Sequence, residues 1–468
     1  MTRFHLILLL WLGFLLSASG SVAAPSPSPP NILIIVADDL GWADVGYHGR
    51  DDLKTPHLDA LARAGLVFPN AYANSSICSP TRASLLTGRT NTTTGMHGVV
   101  RSDQPLNTWG YWNPEVPSLV QDFRDHGYAT AAIGKWHLGV SPPNLPNARG
   151  FDYFKGLLSG VIDDNYQHLT RGQNMMRENN QVITPSGHIT DLLTQWTIDF
   201  LRDHAGAHPQ SVPPDRPFFL YLAYTAPHTP IQPPPDWLAR VKAREPDLDP
   251  MRAGYVALVE HMDDGIGQVM ATLRELNLAE NTIVIFTSDN GGMASYGGRN
   301  GPYRDGKGTM YEGGLRVPGF IVWPNHIAPG STTEEVIATM DLIDIKTAAT
   351  FDGRSFAPLL RDAPLPPRDF SLFFAKRSGR FRWGGNLSFA VRRDNLKLLR
   401  SDPFGPIEMY DLATDPTESH DLLGGTGTAP TDPALNAAYR KIFIEMLYHV
   451  QQAGRYPFVG PDTPNPRP

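Results

Sequence analysis

Four stretches of the chain share one pattern, an unbroken apolar run that stops on ionisable or amide side chains. "NILIIVADD" ends on Asp38 and Asp39, "YATAAIGKWH" on Lys135 and His137, "FFLYLAYTAPH" on His228, and "NTIVIFTSDN" on Asp289 and Asn290. Runs that are apolar at every position and rich in β-branched and aromatic residues predict strands buried on both faces, as in a parallel sheet. Helical spacing fills the gaps between them. "TPHLDALARAG" offers Thr55 as N-cap, Pro56 at the first helical position and Gly65 as the stop. "VPSLVQDFRDHG" repeats that grammar, and the segment from Tyr255 to Leu273 keeps a helical period ahead of "NTIVIF". The alternation predicts an α/β fold with a large, mostly parallel sheet flanked by helices. In such sheets ligands bind outside the carboxyl ends of the strands, so four polar strand ends point to one site.

Beyond about Pro364 the texture changes. "LSFAVRRDNLKLLRS" and "IEMYDLATDP" read as antiparallel strands, and "PALNAAYRKIFIEMLYHVQQAG" as an amphipathic helix. A main domain over 31–362 and a small C-terminal α+β subdomain over 363–468 are expected. At the other end, Arg3, the apolar run from Leu6 to Leu16 and Val22-Ala23-Ala24 read as a signal peptide over 1–24, followed by the stiff linker "PSPSPP" at 25–30. That run is shorter than the ~20 residues a membrane span requires, and no later run is long enough. An exported protein, periplasmic or secreted, is expected.

The formal net charge of -7 over 468 residues argues against a nucleic-acid partner. Cys78 is the only cysteine. It cannot pair within its own chain, which leaves a buried inert thiol, an intermolecular bridge or a functional group, and the lack of disulfides favours a bacterial periplasm. "SPTRASLLTG" predicts a helix with Pro80 in its first turn and Gly88 at its end. Cys78 then sits at the helix N-terminus with Arg82 one turn on, and an activated thiolate is one reading. Asp38, Asp39, Asp289 and Asn290 are oxygen donors of the kind that hold Ca²⁺ or Mg²⁺, although acidic residues after strands also serve as caps. Asp263 and Asp264, inside a helical pattern, read as solvated or capping. Lys135, His137, His228 and Lys307, the last in the glycine-rich "RDGKGTMYEGG", would add cations and proton carriers at the same edge. Trp109, Tyr111 and Trp112 suit either stacking on sugar rings or loop packing. Asn74, Asn91 and Asn386 begin N-x-S/T patterns.

"CSPTRASLLTGR" resembles the signature of the type I, formylglycine-dependent sulfatases, C-x-P-x-R followed by TGR. "NILIIVADDLGWADVG", "GKWHLG", "APHTP", "TSDNGG" and "GKGTMYEGGLRVP" resemble that family's other motifs, in its order, over about residues 31 to 325. The chain is similar to arylsulfatase A- and B-like enzymes, within the alkaline phosphatase superfamily. The resemblance implies an alkaline-phosphatase-like fold and hydrolysis of sulfate esters of carbohydrates, with activity on aryl sulfates. Relatives on the same scaffold cleave phosphate or phosphonate monoesters, and an inactive glycan-binding homologue is the non-enzymatic alternative.

The resemblance also assigns roles. Cys78 would be converted to Cα-formylglycine by a transiently bound maturation enzyme. Asp38, Asp39, Asp289, Asn290 and the modified Cys78 would hold calcium, with magnesium as the alternative. Arg82 would stabilise the hydrated aldehyde, Lys135 and Lys307 would bind sulfate oxygens, His137 would act as base near the hydrate, and His228 would face the leaving oxygen. Ser159, in "GFDYFKGLLSG", matches a family serine at the substrate. Compared with the family, "ATMDLIDIKTAATFDGRSFAPLL" is compressed around 341–351.

Overall fold

The computed structural model describes residues 29–101, 109–206, 216–341, 351–361, 363–379 and 385–455. The expected signal peptide, most of the linker, most of the compressed segment and the tail after 456 lie outside the described residues.

The four apolar runs form the strands Asn31–Ala37, Ala129–Lys135, Phe218–Ala223 and Thr282–Ser288. They lie side by side and parallel, in the order Thr282–Ser288, Asn31–Ala37, Phe218–Ala223, Ala129–Lys135, and Tyr153–Leu157 extends the parallel set. Antiparallel Gly319–Val322 on one side and Met176–Glu178 on the other, with the short strands Leu66–Val67 and Ser331–Thr332 beyond the first and Gln181–Val182 beyond the second, complete a mixed sheet of ten strands. Both faces are covered. Leu33, Ile35, Leu220 and Leu222 pack on Tyr255, Val259 and Met262 of the helix Pro250–Glu275. Ile32, Ile34, Phe219 and Tyr221 pack the other way, on Leu86, Phe123 and Trp136. Successive residues of one strand therefore enter opposite cores, which is why the runs are apolar at every position.

The helix Pro56–Ala64 begins and ends as its sequence predicts, but Thr55 does not cap it. The Thr55 hydroxyl accepts from Gly46 N and donates to Asp59 Oδ1. The orphan amides of His57 and Leu58 are taken instead by the two carboxylate oxygens of Asp263, at 3.1 and 2.7 Å. Asp263 is thus a cap, supplied by another helix.

The C-terminal part is an antiparallel sheet of four strands, Leu372–Ser378, Asn386–Arg393, Leu396–Arg400 and Glu408–Asp411, in that order. Its first strand was not anticipated, being an apolar run set between proline-rich and basic segments. One face carries the helix Pro433–Arg455, and the other meets Tyr72, Met310 and Leu315 of the main domain. Two of the sequence alternatives resolve here. Trp112 is 0% exposed, beneath the Arg149 guanidinium, and Trp109 is 5% exposed with Arg377 over its ring, so both are loop packing rather than sugar platforms. Asn74 and Asn91 are fully buried and hydrogen-bonded, which leaves Asn386 as the one partly exposed N-x-S/T asparagine. No helix among the described residues is long and apolar enough to cross a membrane.

Candidate active site

The site forms where the parallel strands end. Asp38 and Asp39 follow the first strand, and Asp39 holds a left-handed backbone with φ 65°. That conformation is costly for a non-glycine residue and persists only where its surroundings fix it. Here Asp39 N donates to Asp289 Oδ1 at 3.2 Å, Asp39 O accepts from the Tyr255 hydroxyl at 2.9 Å, and Leu40 N donates to Ser288 Oγ at 3.0 Å. The turn aims two consecutive carboxylates at one region.

Cys78 opens the helix Cys78–Thr87, whose C-cap Gly88 has φ 64°. The thiol is buried, and burial pushes its pKa up to about 12 against the pull of Lys135 and Lys307. The activated-thiolate reading is therefore corrected: desolvation, with Asp289 and Asp38 adding to it, outweighs the nearby cations, so the group is a protonated thiol at neutral pH. Donor atoms of Asp38, Asp39, Cys78 and His228 all lie within 4.8 Å of one another.

Cations enclose the carboxylates. Arg82 donates to Asp289 Oδ2 through Nε at 2.9 Å and approaches it with Nη2 at 2.7 Å. It also donates to Lys135 O and Tyr221 OH. Arg82 thus fixes the strand-end carboxylates and the Cys78 helix in one piece. Lys135 Nζ lies 2.5 Å from Asp38 Oδ2, and Lys307 Nζ spans the two Asp39 oxygens at 2.6 and 2.7 Å. Burial is the largest influence and pushes the Asp39 and Asp289 pKa values up, but Lys307, His228 and Lys135 together outweigh it at Asp39, as Arg82, Lys135 and Lys307 do at Asp289, and both carboxyls end below the usual range.

Both histidines are neutral bases by burial. Desolvation, reinforced by Lys135 and Arg82, holds His137 well below its ordinary pKa. Its Nε2 faces Val100 O at 3.1 Å, so Nε2 carries the proton and buried Nδ1 has no partner among the described residues. The ring rests on Gly160, where a Cβ would lie 2.1 Å from it. His228 Nδ1 meets Thr229 O at 2.8 Å, which turns Nε2 to within 3.7 Å of Asp39 Oδ2. Burial lowers its pKa, and Asp39 opposes.

Of the residues expected here, all but Ser159 join this arrangement by direct bonds or shared charge. The Ser159 hydroxyl is engaged by Val161 O at 3.0 Å and by Thr170 Oγ1 at 2.5 Å. Tyr221, Tyr255 and the Val100 carbonyl went unnoticed in the sequence, since a core tyrosine and a backbone oxygen carry no local signal.

The residues fit a hard divalent cation. The set is made of oxygen donors, and two of its buried oxygens, Asp38 Oδ1 and Asn290 Oδ1, have no hydrogen-bond partner among the described residues. Arg82 Nη2 lies 3.4 Å from Asp38 Oδ1. Buried acceptors of this kind are costly unless something meets them.

A family model described as sulfatase matches residues 30–345, and one described as N-sulphoglucosamine sulphohydrolase, C-terminal, matches 302–442. Human (Homo sapiens) arylsulfatase A is 35% identical over 447 residues, covering 86% of this chain and 85% of that protein. Sus scrofa N-acetylgalactosamine-6-sulfatase is 34% identical over 366 residues, 73% of this chain, and the match spans 65% of that protein's own length. The crystal structure of Ps i-CgsB superposes with a TM-score of 0.77 at 28% identity, over 91% of this chain and 94% of that one. Motifs, fold and relatives agree: the chain belongs to the sulfatase family.

Proposed function

We propose that the protein is a sulfuric ester hydrolase acting on sulfated carbohydrates and on aryl sulfates. The observation that carries this reading is the strand-end cluster itself: a lone buried cysteine at a helix start, packed among carboxylates, fixed cations and two neutral histidines. The relatives named above are sulfatases, and a second structure of Ps i-CgsB is described in complex with k-i-k-neocarrahexaose, at 26% identity. A phosphonate monoester hydrolase of Agrobacterium radiobacter shares the fold at 18% identity and a TM-score of 0.61, so fold alone does not choose between the two ester classes.

Asp38, Asp39, Asp289, Asn290 and position 78 would hold Ca²⁺, with Mg²⁺ as the alternative. The cation would supply charge neutralisation, and Cys78 converted to formylglycine would supply a hydrated aldehyde with two hydroxyls on one carbon. The rest of the work falls to the chain's own side chains. A sulfate monoester is an anion that repels nucleophiles, and the ammonium groups of Lys135 and Lys307 would bind its non-bridging oxygens. His228 donates from Nδ1 to Thr229 O and faces the site with an unprotonated Nε2, which would take up a proton when the anionic ester binds and deliver it to the departing alcohol. His137, with Nδ1 unbonded among the described residues, would be the base that takes a proton beside residue 78. Arg82 holds Asp289, Asp38 and the helix start in register.

Cys78 is 2% exposed, so a maturation enzyme would have to reach it before the chain folds. Export to a periplasm or outside the cell, supported by the sequence of residues 1–24, completes the reading. Mass spectrometry of the peptide containing residue 78, from active protein, should show the aldehyde; a reduced thiol in an active enzyme would overturn the reading. Sulfate and phosphate esters of one alcohol, assayed side by side, should show faster sulfate release.

A further inference from the structure

The inward face of the C-terminal sheet carries two lysines whose surroundings differ. Along Leu372–Ser378, Leu372 and Phe374 pack toward the main domain, while Phe373 and Ala375 pack toward the C-terminal helix. Alternation places Lys376 next on the inward face. Lys397 shares that face with Leu399. Lys397 is fully buried, and its Nζ lies 2.8 Å from both Glu312 Oε1 and Glu418 Oε1. Lys376 is half-buried and has no carboxylate partner among the described residues. Its Nζ donates one hydrogen bond, to Gly308 O at 2.5 Å, and burial lowers its pKa with nothing opposing.

The position of that ammonium is informative. Gly308 follows Lys307, whose own ammonium spans Asp39. Gly308 N donates to Ser76 O at 2.8 Å, two residues before Cys78. Ala375 O, one residue before Lys376, accepts from Ser75 Oγ at 2.9 Å and from Asn91 Nδ2 at 2.6 Å. Lys376 is therefore tied to the two segments that deliver Cys78 and Lys307. An ammonium has three donors, and a partly desolvated one with a single carbonyl partner is stabilised by an anion.

We propose that Lys376 forms an anion subsite beside the scissile sulfate, taking a second negative group of the substrate, a sulfate or a carboxylate on the same or the adjoining sugar. This rests on the hydrolase reading above and narrows its substrate class to saccharides with more than one anionic group.

The test compares 4-nitrophenyl sulfate with its 3-sulfonate and 3-carboxylate derivatives, using the full-length matured protein. In Lys376→Met the ratio of kcat/KM for the dianionic over the monoanionic substrate should fall by about ten-fold, through KM, and Lys376→Arg should restore it. The derivative whose ratio falls further identifies the anion. An unchanged ratio overturns the proposal, including the case in which all substrates slow in parallel, which would make Lys376 a positioning residue for the Lys307 loop. Wild-type protein that releases no 4-nitrophenol from any of the three substrates would count against the hydrolase reading itself, a result separable from a failed ratio. Thermal unfolding of each variant confirms that the folded state is being assayed.

Discussion

The carboxylates at the strand ends and those beneath the C-terminal sheet are equally buried, yet they are satisfied differently. Under the sheet, Lys397 bridges Glu312 and Glu418 at 2.8 Å each, Arg316 Nε meets Glu312 Oε2 at 2.9 Å, and Glu312, Arg316 and Arg392 all converge on the Tyr72 hydroxyl. Glu418 Oε2 also accepts from Glu312 N. Each charge there faces its opposite, and Glu418 Oε1 is the one atom of this cluster without a hydrogen bond among the described residues, with Lys397 Nζ 2.8 Å away. At the strand ends, three atoms, Asp38 Oδ1, Asn290 Oδ1 and His137 Nδ1, are buried without hydrogen bonds among the described residues, and a protonated thiol lies among them. Charge density and burial do not separate the two clusters. The unsatisfied atoms do, because a structural network minimises them and a binding site keeps them for its ligand.

The sharpest way to break this contrast is Cys78→Ser. The swap is nearly isosteric, so the thermal midpoint should move by only a few degrees. Steady-state sulfate release should nevertheless fall by at least about 10³-fold, since serine offers one hydroxyl where the proposed aldehyde hydrate would offer two. Substantial turnover by this variant, measured with 4-nitrophenyl sulfate, would place the strand-end cluster alongside the structural one.

Lys397→Met tests the other side. It leaves Glu312 and Glu418 facing each other without their shared cation, and removal of one partner from a buried ionic network costs about 3–5 kcal/mol. Denaturant titration should show that loss, while kcat of the folded protein stays within a few-fold of wild type. A variant of normal stability with abolished turnover would show that the sheet cluster is chemical after all.

A smaller effect is expected from pH. Burial pushes Glu418 up to about 7, with Lys397 opposing and Glu312 adding to the rise. A carboxyl whose folded pKa exceeds its unfolded value of 4.5 binds its proton more tightly in the native state. Its contribution to stability is complete below pH 4.5 and is lost as pH rises through about 7. Glu418→Gln, which keeps a neutral hydrogen-bonding side chain, should therefore lose less stability than wild type between pH 5 and pH 8. The thermal midpoints at those two pH values provide the check, and equal slopes would place the shared proton elsewhere.

The strand ends were legible in the sequence because two strong local signals coincide there, apolar runs and the polar residues that stop them. Asp38, Asp39, Lys135, His137, His228, Asp289 and Asn290 all follow from that coincidence. What was not legible depends on partners far along the chain. Thr55 has the right type and place for a cap, but Asp263, on a helix distant in sequence, supplies the acceptors. The helix start at Cys78 was visible, whereas the burial that keeps the thiol protonated depends on packing against segments from elsewhere in the chain. Trp109 and Trp112 left stacking platform and loop packing both open, because sequence gives side-chain type and not exposure. Lys376 gave no signal at all, since its meaning lies in the absence, among the described residues, of the carboxylates that Lys397 possesses.

Ser159 offers the finest adjustment of the contrast, because it sits next to the site while its hydroxyl is bonded like a structural group. It follows Leu158, whose carbonyl accepts from His137 N, and precedes Gly160, on which the His137 ring rests. Its oxygen faces Val161 O and Thr170 Oγ1, and Thr170 Oγ1 in turn donates to Val161 O at 2.7 Å. If that closed set persists in the working enzyme, Ser159→Ala removes about 1 kcal/mol of hydrogen bonding and leaves KM within about three-fold of wild type. If the hydroxyl swings to the substrate, KM should rise by more than ten-fold, roughly the effect of losing a bond to a charged group, with stability unchanged. Paired KM and thermal-midpoint measurements on this one variant separate the two outcomes, because the first moves stability and spares KM while the second does the reverse.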